Sequence, residues 1–171
     1  RNALWFQSSA ETDAYCTRAF AQHLEKAAKG ELRHWAETND GLVALIVLLD
    51  QFSRNIHRGS AKAFEGDTEA LELAETAINA GRDKQLPAIH RAFVYMPLEH
   101  CEDLQTQEQC VALFDQLAKA VPDEQIESFA RFAIAHRDVI ALFGRFPHRN
   151  EMLGRSSTPE ELEHLQKHGG F

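Results

Sequence analysis

The stretch between residues 143 and 155 has the clearest potential for chemistry in this sequence. It carries three guanidinium groups, an imidazole and an amide: Arg145, Arg149, Arg155, His148 and Asn150. Guanidinium groups are planar forks that match the oxygens of carboxylates and phosphates, and loop donors at this density are often functional. The stretch therefore predicts a site for a small anionic molecule or a peptide carboxylate. The alternative is that each arginine pairs with an acid or a helix end and only holds the loop in place.

A second polar set lies on the helix predicted for residues 41–55. Asp50 and Arg54 are four residues apart, so they meet on one helix face. The helix is apolar nearly all round and is therefore expected to be buried, where charges must be paired. An internal ion pair is one interpretation of these two residues; in the other, Arg54 binds the ligand and Asp50 supports it. Asn55 and Arg58 lie where the helix ends, and they are the better candidates for contacts with a ligand.

A third set combines acids with histidine near the start of a later helix: Glu99, His100, Glu102, Asp103 and Gln107. Carboxylates and imidazole can hold a metal ion. However, the set lacks the paired Glu-x-x-His helices of di-iron bundles, and the chain contains no His-Glu-x-x-His motif. The sequence therefore predicts no metal and no cofactor. We expect the acids of this set to be counter-ions for the arginines, with Glu99, Asp103 and Asp50 as the supporting carboxylates.

His136 is expected on the buried stripe of a helix, because it continues an apolar repeat formed by Ile126, Phe129, Ala133, Ile140 and Phe143. Such a histidine is either a satisfied core residue or a general acid or base that works near neutral pH. An enzyme would use His136 or His148 for proton transfer, with Arg145 and Arg149 stabilising charge. The sequence contains neither Gly-x-Ser-x-Gly nor a phosphate-binding glycine loop, so it leaves open whether there is catalysis.

Length and composition predict one domain over residues 1–171, with 44% apolar residues. The net charge of -8 argues against nucleic acid as a partner. The longest apolar run, Leu42 to Leu49, is far shorter than the roughly 20 residues of a membrane span. An odd number of cysteines, without a CxxC spacing, favours the cytoplasm. Trp5 and Phe6 resemble the interior of a helical turn, so residues upstream are expected; the oligomeric state is not predicted.

Helical periodicity dominates the chain, and Gly, Pro and cap residues divide it into six or seven helices. A short helix over residues 88–96 is expected to stop at Pro97, which then opens the next helix. Thr158, Pro159 and Glu161 predict a capping box. The main predicted helices span residues 11–29, 41–55, 67–80, 98–120, 124–143 and 159–168.

Four segments of the chain resemble a known family, catalogued as domain of unknown function 924. They are Leu48-Leu49-Asp50-Gln51-Phe52-Ser53-Arg54-Asn55, Ala63-Phe64-Glu65-Gly66-Asp67, Tyr95-Met96-Pro97-Leu98-Glu99-His100 and Phe143-Gly144-Arg145-Phe146-Pro147-His148-Arg149-Asn150. The resemblance implies an all-α fold, an antiparallel helical array of the tetratricopeptide-like class. It implies no activity. A binding module, an enzyme and a tetratricopeptide-like interaction module with purely structural polar motifs all remain open.

Overall fold

The computed structural model describes residues 9–170, and every regular element in this range is helical. The all-α prediction is confirmed, while the tetratricopeptide-like arrangement stays a prediction. The expectations for Trp5, Phe6 and the upstream helix lie outside the described residues. The seven α-helices described are α1 (Ala10–Ala28), α2 (Asn39–Val47, Leu48–Phe52 and Ser53–Ile56 in succession), α3 (Asp67–Asn79), α4 (Ala88–Glu99), α5 (Leu104–Ala120), α6 (Glu124–Phe143) and α7 (Pro159–His168).

The chain divides into two compact units, unit 1 (Arg1–Pro97) and unit 2 (Leu98–Phe171). The single-domain prediction for residues 1–171 stays a prediction. Each of the described helices is too short or too polar to cross a bilayer.

In unit 1, helices α1 and α3 both pack against α2. Ser9 begins α1 by accepting a hydrogen bond from the backbone N–H of Thr12 at 3.0 Å. The buried cluster joins leucine and alanine side chains of the three helices and the adjoining turn: Leu24, Ala27, Leu32, Leu45, Leu48, Leu49 and Ala70. This cluster fixes the helix that carries Asp50 and Arg54.

Helix α2 widens into a π-helical turn at Leu48–Phe52, an irregularity that is frequent at functional sites. Gly66 packs directly on this turn. A Cβ atom at Gly66 would lie only 2.5 Å from the carbonyl oxygen of Leu49. The close approach of the two backbones therefore requires glycine at this position.

We expect Gly66→Ala to lower the free energy of unfolding by about 1–2 kcal/mol, because the added methyl group meets rigid backbone rather than a flexible side chain. Urea denaturation measures this change. The matched control is Gly59→Ala, since nothing lies within 4 Å of the corresponding Cβ; its positive φ of 79° makes that variant a test of backbone strain alone. Gly66 itself has an ordinary φ of −84°, so an unchanged stability in Gly66→Ala would show that packing on Leu49 contributes nothing.

In unit 2, α5 and α6 form a helical hairpin joined by a three-residue connection. Asp123 begins α6 by accepting a hydrogen bond from the N–H of Gln125 at 2.9 Å, and Gly144, with a φ of 67°, ends it. His136 is 5% exposed and lies on the buried face of α6, as its spacing predicts. The predicted capping box at the start of α7 is also confirmed, with Glu161 and Thr158 bonded reciprocally.

The predicted helix start at Pro97 is wrong. Helix α4 continues through Pro97 and ends at Glu99, and α5 begins only at Leu104. A proline near the end of a helix removes one backbone hydrogen bond but leaves the following residues helical. The new helix is set by Asp103, whose side chain accepts hydrogen bonds from the N–H and the hydroxyl of Thr106, both at 2.8 Å.

Candidate functional site

Arg145 and Asn150 converge on one buried carboxylate, that of Glu161. Arg145 donates from Nε and Nη2 to its two oxygens at 2.6 and 2.9 Å. Asn150 Nδ2 donates at 3.1 Å, and the N–H of Thr158 at 2.7 Å. The hydrogen bonds from Arg145 are the largest cause lowering the pKa of Glu161 to about 2, against the opposing effect of burial. This network links the loop after α6 to the start of α7.

Arg155 pairs with a second carboxylate, Glu102. Its Nη1 and Nη2 atoms donate to the two oxygens at 2.6 and 2.9 Å, and its Nε donates to Asn150 Oδ1 at 2.9 Å. The N–H of Phe146 also donates to Glu102, at 2.8 Å. Burial raises the pKa of Glu102, but the hydrogen bonds from Arg155 and Phe146 outweigh it and lower the pKa overall. Glu102 belongs to the acidic set that is expected to supply counter-ions for the arginines, and it pairs with Arg155 across 53 residues.

In unit 1 the predicted ion pair between Asp50 and Arg54 is present, with 3.0 Å between Oδ1 and Nη1. Arg54 also grips Asp67 with two hydrogen bonds of 2.8 and 3.0 Å. Gln51 donates to the other oxygen of Asp50 at 2.6 Å. Asp50 is 1% exposed, so this is a largely buried charge network.

Arg58 and Asn55, predicted as ligand contacts, both reach Asp13 on helix α1. Arg58 donates to the two oxygens of Asp13 at 2.6 and 2.9 Å, and Asn55 donates at 2.9 Å. The hydrogen bond from Arg58 is the main cause of the lowered pKa of Asp13. These contacts connect the end of α2 to the first described helix. Asp103, expected as a supporting carboxylate, is bonded to Thr106 as the cap of α5.

Six residues of unit 2 form what we call the Phe146 cluster: Glu99, His100, His136, Phe146, His148 and Arg149. Phe146 is fully buried at its centre. Its ring centroid lies 5.5 Å from that of His136 and 5.6 Å from that of His148, and the Arg149 guanidinium carbon stands 4.6 Å above it. The ring of His100 lies 6.1 Å from that of His136. The loop after α6 thus brings two of its predicted site residues to the buried histidine of that helix.

His136 is surrounded by oxygen atoms and cations. Its Nδ1 atom lies 2.8 Å from the carbonyl oxygen of Phe132 and 3.2 Å from Glu99 Oε1. Burial, followed by the charge of His100, lowers the pKa of His136 to about 3. The imidazole is therefore neutral at pH 7, which makes it a weak base but leaves it able to form hydrogen bonds or to bind a metal ion.

Glu99, His100 and His136 also form a group whose potential ligand atoms all lie within 4.8 Å of one another. The sequence predicts no metal at these residues, because metal signatures are recognised from ligands at short, regular spacing. Here Glu99 ends α4 and His100 follows it directly, while His136 lies on the buried face of α6, far along the chain. A neighbouring Glu-His pair and a histidine on an apolar stripe were the only signals available.

Unit 1 contains a cavity of about 230 Å³, lined by residues outside the predicted site set. Arg33 at its wall pairs with Glu69 at 2.9 Å. Arg82 donates to Asn39 at 3.0 Å and to the carbonyl oxygen of Ala36 at 2.9 Å. Both guanidinium groups are therefore paired with neighbouring residues in the cavity wall.

A family model described as bacterial protein of unknown function (DUF924) matches residues 1–169. A solved structure of a protein of unknown function from Agrobacterium tumefaciens is similar to the chain, with 36% identity and a TM-score of 0.86 over 95% of this chain and 88% of that chain. No curated protein matches the chain. The chain belongs to the DUF924 family of bacterial proteins of unknown function.

Proposed function

We propose that this protein binds a small anionic ligand, a phosphate ester or a carboxylate, at the Phe146 cluster of unit 2. The observation that carries the proposal is the convergence of His136, His148 and Arg149 on the ring of Phe146. A guanidinium group held on an aromatic face is fixed in direction, so it loses little freedom on binding. The odd cysteine count supports placing this function in the cytoplasm.

The exposure of the cluster supports access by a ligand. His100 and His148 are partly exposed, while Arg149 is 6% exposed. An anion that approaches the cluster would first meet the partly exposed imidazoles of His100 and His148. It would then meet the buried guanidinium of Arg149, which is always positively charged. Charge-assisted hydrogen bonds of this kind are shorter and stronger than neutral ones.

The other arginines have a supporting role in this proposal. Arg145 and Arg155 hold the loop through Glu161 and Glu102, and Arg54 and Arg58 stabilise unit 1 through acids of their own. Their pairing also favours a second candidate, in which all these polar motifs are purely structural. Only the response to a ligand separates the two candidates.

Thermal unfolding with an anion panel tests the proposal, using inorganic phosphate, a phosphate monoester and a small dicarboxylate as probes. We expect at least one to raise the Tm, with roughly 2.7 kcal/mol of added stability at 100 times its Kd. His148→Ala and Arg149→Met should each weaken binding about tenfold or more, because each removes a donor to the anion.

The matched control is Arg131→Met, which removes an exposed arginine of the same unit and should leave the Kd unchanged. If an anion raises the Tm of His148→Ala, Arg149→Met and Arg131→Met equally, the stabilisation comes from general screening of charge and not from binding at the cluster. No shift with any anion of the panel would favour the purely structural candidate.

A further inference from the structure

We infer that Glu99, His100 and His136 form a binding site for one divalent transition-metal ion of the Zn²⁺ class. The inference goes beyond anion binding and does not depend on it. It rests on the grouping of one carboxylate and two imidazoles in the interior of unit 2, where Glu99 and His136 are 4% and 5% exposed.

The spacing of the potential ligand atoms is close to that of a metal site. Zinc bonds to nitrogen and oxygen are about 2.0–2.2 Å long, which places neighbouring ligand atoms about 3.0–3.5 Å apart. Nδ1 of His136 lies 2.8 Å from the carbonyl oxygen of Phe132 and 3.2 Å from Glu99 Oε1, so it carries the proton, and Nε2 is the ring nitrogen that would bind an ion. The potential ligand atoms of the three residues lie within 4.8 Å of one another. Closing on an ion requires movements of about 1 Å, and the partly exposed His100 has the most room to make them.

The backbone that carries two of the ligands is held by a buried side chain. Gln107 is fully buried, and its Nε2 atom donates to the carbonyl oxygens of Glu99 at 2.6 Å and Cys101 at 2.8 Å. It therefore fixes the backbone on both sides of His100, directly after the end of α4. Outer groups that orient the ligands are a regular part of metal sites.

Gln107 also presents an acceptor beside this turn. Its Oε1 atom is buried and accepts no hydrogen bond from the described residues. Buried acceptors are normally satisfied. An ordered water molecule beside the turn that carries Glu99 and His100 would satisfy this acceptor.

The donor set determines the class of ion. Mg²⁺ and Ca²⁺ prefer oxygen ligands, whereas imidazole suits Zn²⁺, Fe²⁺ and related ions. Two histidines and one carboxylate leave at least one coordination position for water or another ligand, as in catalytic rather than structural zinc sites. The site therefore has the composition of a centre that binds an exchangeable ligand.

Titration of the chelator-treated full chain with Co²⁺ in a buffer without phosphate tests the inference. We expect one ion per chain, with visible absorption bands, and competition by Zn²⁺. X-ray absorption of the wild-type zinc complex should show two imidazole ligands. His100→Ala and Glu99→Gln should each weaken binding by at least about tenfold, because each removes one of three ligands.

The control variant is His164→Ala/His168→Ala, which removes the other close histidine pair of unit 2, with ring centroids 4.8 Å apart. Its Co²⁺ affinity should equal that of the wild type. Binding that is lost in this control but retained in His100→Ala would place the ion on the surface of α7 and overturn the inference. Absence of stoichiometric binding, or a wild-type spectrum without imidazole, would overturn it even where a variant fails to fold.

Discussion

Arg54→Met lowers the free energy of unfolding by about 3–5 kcal/mol, the largest loss that we expect from a single substitution. The guanidinium lies between two carboxylates, 3.0 Å from Asp50 and 2.8 Å from Asp67. Methionine keeps much of the side-chain volume but leaves two close negative charges unneutralised, one of them 1% exposed. Urea denaturation monitored by circular dichroism measures the loss.

Arg33→Met is the matched control, because it removes an arginine from an ion pair with Glu69 in the same unit. The Arg33 side chain is 70% exposed, so we expect a loss below about 1 kcal/mol. The triple variant Asp50→Asn/Arg54→Met/Asp67→Asn should recover part of the Arg54→Met loss, since it removes the charges left behind. A loss from Arg54→Met as small as that of the control would mean that water solvates both carboxylates.

The helices could be predicted from the sequence because the residues that begin or end each helix lie next to it in the chain. Gly144 ends α6 through a left-handed backbone conformation, and Thr158 begins α7 through its own side chain. The Asp50–Arg54 pair was predictable for the same reason, since four residues is one helical turn. Pro97 is misleading because it lies in the last turn of α4, where its missing N–H costs one backbone hydrogen bond and the helix continues to Glu99.

The long-range partners could not be predicted in the same way. Arg58 meets Asp13 across 45 residues, and Arg155 meets Glu102 across 53. Helical periodicity indicates which face of each helix is buried, but it does not indicate which faces meet. The density of the arginines indicates their chemical significance, and acids such as Asp50 and Glu102 are expected as counter-ions, but the sequence does not indicate which distant acid meets which arginine.

The Phe146 cluster shows the same limit at the candidate site. His136 was placed on a buried stripe correctly because that inference needed only its own helix. Its neighbours come from the end of α4 and from the loop after α6. The loop was expected to supply charge, and its aromatic ring now also supplies the surface on which His148 and Arg149 are placed.

Glu161→Gln is expected to lower the free energy of unfolding by about 2–3 kcal/mol at pH 7, because hydrogen bonds to a charged group contribute more than neutral ones. The carboxylate is 2% exposed and accepts from Arg145, Asn150 and Thr158. Glutamine keeps the shape but removes the charge, and it places an amide donor where the wild type has only acceptors.

The loss from Glu161→Gln should also depend on pH in a defined direction. The pKa of Glu161 is about 2 in the folded chain, below its ordinary value of 4.5. A lowered folded-state pKa contributes stability that is fully present above 4.5 and is lost as the pH falls toward 2. The gap between wild type and Glu161→Gln should therefore narrow over that interval. Glu163→Gln, on the exposed side of α7, should change stability by less than about 0.5 kcal/mol at pH 7, and a similar loss in both variants would contradict a buried role for Glu161.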